Sequence, residues 1–388
     1  MPKALAPWQV SAGGIAGLIL SIGLARFAYT PLLPLMQQQA ALSDAMGGTL
    51  AAINYAGYMS GALLAALIDD ARWRSRLYLW GMVLGLIATA LMPLSPNLAL
   101  WAVSRYLGGL SGAAGMLLGS GLVLGFLMRA GRRPELGVHF MGLGLGIVVS
   151  ALGAMAMDRL ALDWAGHWWG FVVIGLPLLA ATWWWRPPVP PPTPATAAAG
   201  APSPRWMRWM IASYFCAGWG FVISATFTVA IVERQPLLHG QGPWAWLLVG
   251  LAATPAVFLW DRMARRIGDL NALLTAFALQ IVSVVLPALS GSLAAALAGA
   301  LLYGATFIGL VSLTLALVGR RSPGNPGKAM ARLTLSYGVA QVTAPALAGA
   351  MAQSSGSYQA ALWLTAAVLA AGMLILLRLR RLERRGEA

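Results

Sequence analysis

Asp261-Arg262-Met263-Ala264-Arg265-Arg266 follows directly on an apolar stretch, and Asp69-Asp70-Ala71-Arg72-Trp73-Arg74 follows on another, 192 residues earlier. In a chain of 388 residues that offset is close to half the length. The basic residues Arg129, Arg132 and Arg133 are echoed in the same way by Arg320, Arg321, Lys328 and Arg332. Halves that repeat one alternation of apolar stretch and basic loop are two copies of one structural unit. Between them runs Arg186 to Arg205, RPPVPPPTPATAAAGAPSPR, too rich in proline to pack a core and best read as an extended linker. The expected organisation is residues 1–186 as an N-terminal six-helix bundle and 187–205 as a Pro-rich cytoplasmic linker. Residues 206–388 then form a C-terminal six-helix bundle with a short basic tail.

Each unit holds six apolar stretches. Crossing hydrocarbon takes roughly 20 helical residues, and twelve stretches approach or exceed that length, beginning near Ala12 and ending near Leu377. A composition that is 59% hydrophobic and only 10% charged suits a polytopic membrane protein and would be strange in a soluble domain. With both termini inside, 22 of the 26 Lys and Arg residues fall in the tails and cytoplasmic connections. That asymmetry sets the orientation, because cationic loops stay on the cytoplasmic side. Trp8, Trp164, Trp183, Trp184, Trp185 and Trp244 stand where an aromatic interface belt would lie. The first stretch is too long for a signal-peptide core and lacks a small-residue cleavage site, so it reads as a retained span. The expectation is an all-α membrane protein of twelve transmembrane helices in two six-helix bundles, in the cytoplasmic (inner) membrane, with cytoplasmic termini.

A net charge of +15 would point a soluble protein toward nucleic acid. Here the cations sit in short loops beside apolar spans, so no nucleic-acid partner is expected. The single Cys216 allows no intrachain disulfide, and with three scattered His residues no metal site and no cofactor are expected. An enzyme needs a nucleophile, base or metal constellation, and none is legible. The expected partners are a small-molecule substrate and the lipid bilayer, with the protein a monomer.

Two repeats joined by a cytoplasmic linker make a transporter architecture, with a binding site expected at their interface. Four cations lie outside the cytoplasmic set: Arg26, Arg105, Arg159 and Arg234. Arg26 sits roughly 16 Å of helix below the outer end of span 1, and Arg105 roughly 12 Å below the start of span 4. An arginine facing lipid at that depth costs a few kcal/mol. Both are therefore expected to face a shared central cavity, the alternative being that each bonds carbonyls or tyrosines and holds helices together. All eleven acids fall in loops or at span ends, leaving no mid-membrane carboxylate to neutralise them. A guanidinium keeps its proton, so its counter-ion would come with an anionic or zwitterionic substrate, held bidentately. Around these arginines the polar residues Tyr29, Asn54, Tyr58, Tyr214, Thr226, Thr306, Tyr337 and Gln341 could complete a binding site drawn from both halves. Each alone reads equally well as interhelical glue.

Several of these stretches resemble the major facilitator superfamily. Asp261-Arg262-x-Ala264-Arg265-Arg266 is similar to its loop motif, with Ala264 where glycine is usual, while the copy at Asp69 keeps the acid and Arg74. Arg105-x-x-Gly108-Gly109-x-Ser111-Gly112-Ala113 resembles its span 4 motif, whose arginine the resemblance ties to proton coupling. Arg26-Phe27-Ala28-Tyr29-Thr30-Pro31-Leu32-Leu33-Pro34, Ile223-Ser224-Ala225-Thr226-Phe227, Tyr303-Gly304-Ala305-Thr306-Phe307 and Tyr337-Gly338-x-x-Gln341 resemble the YbfB/YjiJ type more narrowly. The resemblance implies gating by Asp69, Asp261, Arg262, Arg265 and Arg266, which would join helices across the inner face. Asp261 is expected to pair with Arg265 or Arg332. Coupling candidates are Arg105, Glu233 and His139. The span 5 glycines Gly142, Gly144, Gly146 and Gly153 come without the proline of the antiporter signature, which weakens a reading as drug/proton antiporter.

The function expected from the sequence is secondary active transport of a small organic anion or zwitterion by alternating access, coupled to protons. An efflux protein for hydrophobic or drug-like compounds is the alternative, and a transporter-like sensor a remote one.

Overall fold

Ser43, Asn97, Asp163, Ser203 and Ser292 each stand one residue before a long helix, and each side-chain oxygen accepts a hydrogen bond from a first-turn N–H. Such caps satisfy the otherwise orphaned donors of a helix start. The computed structural model describes residues 5–68, 70–131, 136–189, 202–322 and 326–385 of the chain. Twelve long helical segments follow one another: α1 (Pro7–Gln39), α2 (Asp44–Leu67), α3 (Ala71–Leu94), α4 (Leu98–Arg129), α5 (Leu136–Arg159) and α6 (Trp164–Trp184) in the first half. The second half holds α7 (Pro204–Glu233), α8 (Gly242–Ala253 and Ala256–Ile267), α9 (Asp269–Leu289), α10 (Leu293–Arg321), α11 (Pro326–Ser355) and α12 (Gln359–Arg384). No strand occurs among the described residues. Residues 190–201 of the expected linker lie outside them.

Ten of these helices are long and apolar enough to cross a membrane, and the two parts of α8 make an eleventh. Those parts meet at 46°. The break falls at Thr254-Pro255, where the proline has no N–H to continue the helix. The remaining helix, α11, carries Thr334, Ser336, Tyr337, Gln341 and Thr343 because it packs against α2 and α7 at the centre of the molecule. Its outward stripe stays apolar, with Leu335, Val339 and Leu347 exposed, while Tyr337 and Gln341 are buried on the packed side. The rest of the lipid-facing side is alike: Leu63, Leu67, Trp80, Val173, Leu176, Leu251, Leu259 and Leu374 are all exposed, as a surface bathed in hydrocarbon requires.

Two features set the position of the central residues. Ile19–Phe27 within α1 and Ala114–Gly119 within α4 are wound as wide π-helical turns, a form that is rare and concentrated at functional sites. They pack on each other, with Ser21 against Gly115. Glycines then let backbones touch. A Cβ on Gly109 would run into the Asn54 carbonyl, and one on Gly48 into the Pro345 carbonyl across the boundary between the halves. Small residues at such crossings are how helices approach closely in lipid, where no hydrophobic force drives them together.

Candidate functional site

Pro31 has no N–H, so the turn before it in α1 is short of a hydrogen-bond donor. Arg105 of α4 supplies that need from the side. Its Nη1 donates to the Ala25 carbonyl at 3.0 Å and its Nη2 to the Arg26 carbonyl at 3.4 Å. The guanidinium lies over the Tyr29 ring, 4.4 Å from its centroid, and Tyr29 donates its own hydroxyl to the Gly47 carbonyl of α2 at 3.0 Å. Asn54 completes the set, donating from Nδ2 to the Arg105 carbonyl at 2.7 Å. Arg105 is only 3% exposed. Arg105 and Tyr29, expected to face a cavity shared between the halves, instead form a buried clamp of α1, α2 and α4 inside the first half. The reason is local: carbonyls of the wide turn that ends before Pro31 take both terminal nitrogens of Arg105.

Arg26 is different. It is 8% exposed, yet among the described residues it makes no side-chain hydrogen bond and no ion pair, and its Nε and Nη2 are both buried without a partner. These two nitrogens share one edge of the guanidinium, the fork that takes a carboxylate bidentately. What surrounds Arg26 is aromatic: Tyr55 with its ring centroid at 4.1 Å, Tyr58 at 5.3 Å, Phe221 at 5.5 Å and Phe27 at 5.6 Å. A desolvated cation–π contact returns about 2 kcal/mol, against several kcal/mol for desolvating an ion. The rings therefore hold the cation in place without satisfying its donors.

The second half presents a run of rings to this point. Tyr214 and Tyr337 lie 4.6 Å apart, Tyr337 and Phe221 5.8 Å, Phe221 and Phe307 5.4 Å, and Phe307 and Tyr303 5.1 Å, with interplanar angles between 21° and 37°. Helical spacing aligns them, Tyr303 with Phe307 at i,i+4 on α10 and Tyr214 with Phe221 at i,i+7 on α7. Tyr55 meets Phe221 edge-on across the boundary at 6.3 Å. The expected polar residues divide by how their hydrogen bonds are used. Tyr303 donates to the Phe221 carbonyl, and Thr306 bonds carbonyls of its own helix. Tyr58, Tyr214, Thr226, Tyr337 and Gln341 take no side-chain hydrogen bond within the described residues, and the Asn54 Oδ1 is buried without one. Arg26, Tyr58, Tyr214 and Tyr337 thus come together around one boundary with capacity to spare. Tyr55 and Phe221, central here, are not among the residues singled out in the sequence, where Phe307 stands only as the end of a motif. The signal for Tyr55 was its i,i+3 spacing to Tyr58, which the pairing of Asn54 with Tyr58 obscured.

About 16 Å along α2 from Tyr55, the two halves are laced together at their far end. Asp44 accepts a hydrogen bond at 2.5 Å from the Nη2 of Arg234, one at 3.0 Å from the Tyr358 hydroxyl, and one at 2.7 Å from the Gln37 amide. Burial first, then the facing Asp44 carboxylate, push the Tyr358 phenol above its ordinary range, so it stays a donor. Gln353 accepts from the Ala45 N–H at 3.1 Å, and deeper down the Thr30 hydroxyl donates to the Ala225 carbonyl at 2.5 Å. Arg234 stood out in the sequence as a cation on the outer side, but its partner was not identified. At the basic end the described ion pairs stay within the second half: Arg320 with Asp269, Arg321 with Glu383, and Asp261 with Arg265 one turn along its own helix. Asp261 does pair with Arg265, as one of the two expected partners, but the pair joins no two helices. Arg262 and Arg266 make no ion pair among the described residues, and Asp69 lies outside them.

The remaining coupling candidates sit in local roles. Both Glu233 oxygens accept backbone N–H groups of the α7–α8 connection, from Gly240 and Gly242, each at 2.8 Å. His139 is buried against Ser120 at 2.9 Å, where α5 meets α4. Among the described residues no group of three or more His, Cys, Asp or Glu could hold a metal ion.

A family model described as "Uncharacterised MFS-type transporter YbfB" matches residues 18–377. The chain is 26% identical over 136 residues to the uncharacterized transporter mfc1 of Schizosaccharomyces pombe, covering 35% of this chain and 27% of that one. It is 33% identical over 92 residues to the uncharacterized MFS-type transporter YceJ of Bacillus subtilis, 24% of each chain. The chain thus spans about a quarter of the length of these two relatives. Among solved structures, the nucleoside transporter NupG superposes with a TM-score of 0.72 at 12% identity, covering 96% of this chain and 98% of that one. The human organic anion transporter MFSD10 (TETRAN) gives 0.67 at 18% identity, covering 97% and 100%. At such identities the likeness establishes the major facilitator fold.

Proposed function

The chain belongs to the family of MFS-type transporters described as YbfB, and from that premise we propose that it is a secondary active transporter for a small organic anion or zwitterion. It works by alternating access in the cytoplasmic membrane, with the basic end and both termini in the cytoplasm. The observation that carries the reading is the Arg26 fork: a buried guanidinium between the halves, ringed by aromatics, with Nε and Nη2 unpartnered and no carboxylate paired to it. A desolvated cation in that position favours an anionic ligand over any other. The far-end lacing at Asp44, Arg234 and Tyr358 supports a reading in which the outer route is shut in this conformation. Binding at Arg26 would draw the halves together around the substrate, and release of the outer contacts would open the other side.

Proton coupling fits the same frame. Glu233 and His139 are engaged locally, and Arg105 gives its donors to carbonyls. Asp44 is the carboxylate whose protonation would loosen Arg234 and release the outer seal.

A thermal-shift screen of the purified protein tests the substrate class. Ligand at 100 times its Kd stabilises the occupied state by about 2.7 kcal/mol. Organic carboxylates and phosphates are expected to raise the melting temperature, and lipophilic cations are expected to leave it unchanged. Stabilisation by lipophilic cations alone would replace this reading with efflux of hydrophobic compounds.

A further inference from the structure

We infer that the substrate is a flat aromatic monocarboxylate, bound with its carboxylate on Arg26 and its ring against the aromatic run of the second half. The inference rests on the anion reading above and narrows it.

Three observations meet here. The first is the unsatisfied fork of Arg26, which fixes where a carboxylate would bind. The second is the ring run Tyr214, Tyr337, Phe221, Phe307 and Tyr303, contributed by α7, α10 and α11, in which each neighbouring pair is within 37° of parallel. Phe221 belongs to both, its ring centroid lying 5.5 Å from the guanidinium carbon, 5.8 Å from the Tyr337 ring and 5.4 Å from the Phe307 ring. A ligand held by the fork therefore reaches the ring run at once. Aliphatic side chains would suit a branched or flexible acid as well, but a run of near-parallel rings favours a planar partner that can stack or meet them edge-on. The third observation concerns the ammonium of an amino acid. It would enter with no carboxylate to receive it, since the acids nearest in the chain, Asp44 and Glu233, are held in the far-end contacts. This favours a simple anion over a zwitterion. The free hydroxyls of Tyr58, Tyr214 and Tyr337 can then serve polar substituents on the ring.

The test compares benzoate with cyclohexanecarboxylate, two probes of equal charge and carbon number, by calorimetric titration of the full-length purified protein. One aromatic pair favours the planar ring by about twofold to tenfold in affinity, so benzoate is expected to bind tighter by at least that factor. Phe221→Leu should narrow the ratio, and Phe307→Leu serves in its place if that variant does not fold. The wild-type comparison needs no variant at all. Equal affinities for the two acids, both lost in Arg26→Gln, would overturn the aromatic inference and leave the anion reading standing. Tighter binding of phenylalanine than of benzoate would overturn the choice of anion over zwitterion. Absence of binding by every carboxylate, or binding unchanged in a folded Arg26→Gln protein, would overturn the anion reading itself.

Discussion

Arg105 and Arg26 lie side by side in the first half, so close that one donates to the backbone of the other, and they live in opposite conditions. Arg105 is fixed by carbonyls, capped by a tyrosine face and shut inside three helices. Arg26 has rings on its faces and nothing on its edge. Burial is nearly the same for both, so burial alone does not separate a structural arginine from a binding one. The separating quantity is the state of the donors: Arg105 spends both terminal nitrogens on carbonyls and leaves only its Nε unpartnered, whereas Arg26 leaves the whole Nε–Nη2 edge idle, held ready for a partner.

The sharpest way to break that contrast is to remove Arg105. Arg105→Leu removes the two hydrogen bonds that α4 gives to the Ala25 and Arg26 carbonyls, each worth about 1 kcal/mol or more, and frees α4 from α1. The folded yield and melting temperature, followed by fluorescence-detected gel filtration, should fall steeply. A variant melting with the wild type would show that the clamp is dispensable.

Arg26→Gln should do the reverse. Charge-assisted hydrogen bonds are worth about 1.5–3 kcal/mol, so ligand affinity should drop by about tenfold to a hundredfold. The melting temperature should hold or rise, because an unsatisfied buried cation is gone. Arg26→Lys keeps the charge and loses the planar fork, and should fall between. Affinity measured against melting temperature for the pair decides the matter. Normal affinity in a folded Arg26→Gln protein would make Arg26 another piece of the scaffold.

Between the two ends of the molecule the expected effects are smaller. Asp44→Asn removes the charge that ties Arg234 across the boundary, and a partly buried pair of this kind is worth about 1 kcal/mol. That amounts to a roughly fivefold shift in the balance of conformations. Labelling of a cysteine placed at Ala225, just below the seal, by an impermeant maleimide from the outer side should rise accordingly. Unchanged labelling would show that the lacing does not gate. The least effect is expected from Asp261→Asn. Its pair spans one turn of one exposed helix, worth about 0.3–0.5 kcal/mol, so accessibility of the same cysteine should move by no more than about twofold. A larger shift would point to a cross-helix partner for Asp261 in another conformation.

Composition and periodicity carry the helices of this chain, and side-chain partners lie beyond them. The helices were legible because lipid demands long apolar runs. Arg26 was legible as a buried cation without an acid, since counting the eleven carboxylates by position suffices to show it. Arg105 looked the same by that test and differs in fact, because its acceptors are backbone carbonyls, which every residue has and no sequence pattern marks. Asp44 and Arg234 were each visible in outer segments, but 190 residues separate them and nothing local pairs them.

Sequence by itself determined that this is an all-helical membrane protein with apolar spans along its whole length and arginines that have no mid-membrane acid beside them. Those properties depend on which residues are present and at what period. Tertiary structure decided which arginine is spent and which is idle, which rings of α7, α10 and α11 align, and which end of the boundary is laced shut. Each of those depends on helix rotation and crossing, set here by two wide π-helical turns and by glycines that let backbones touch, where a change of a single turn would redirect every side chain.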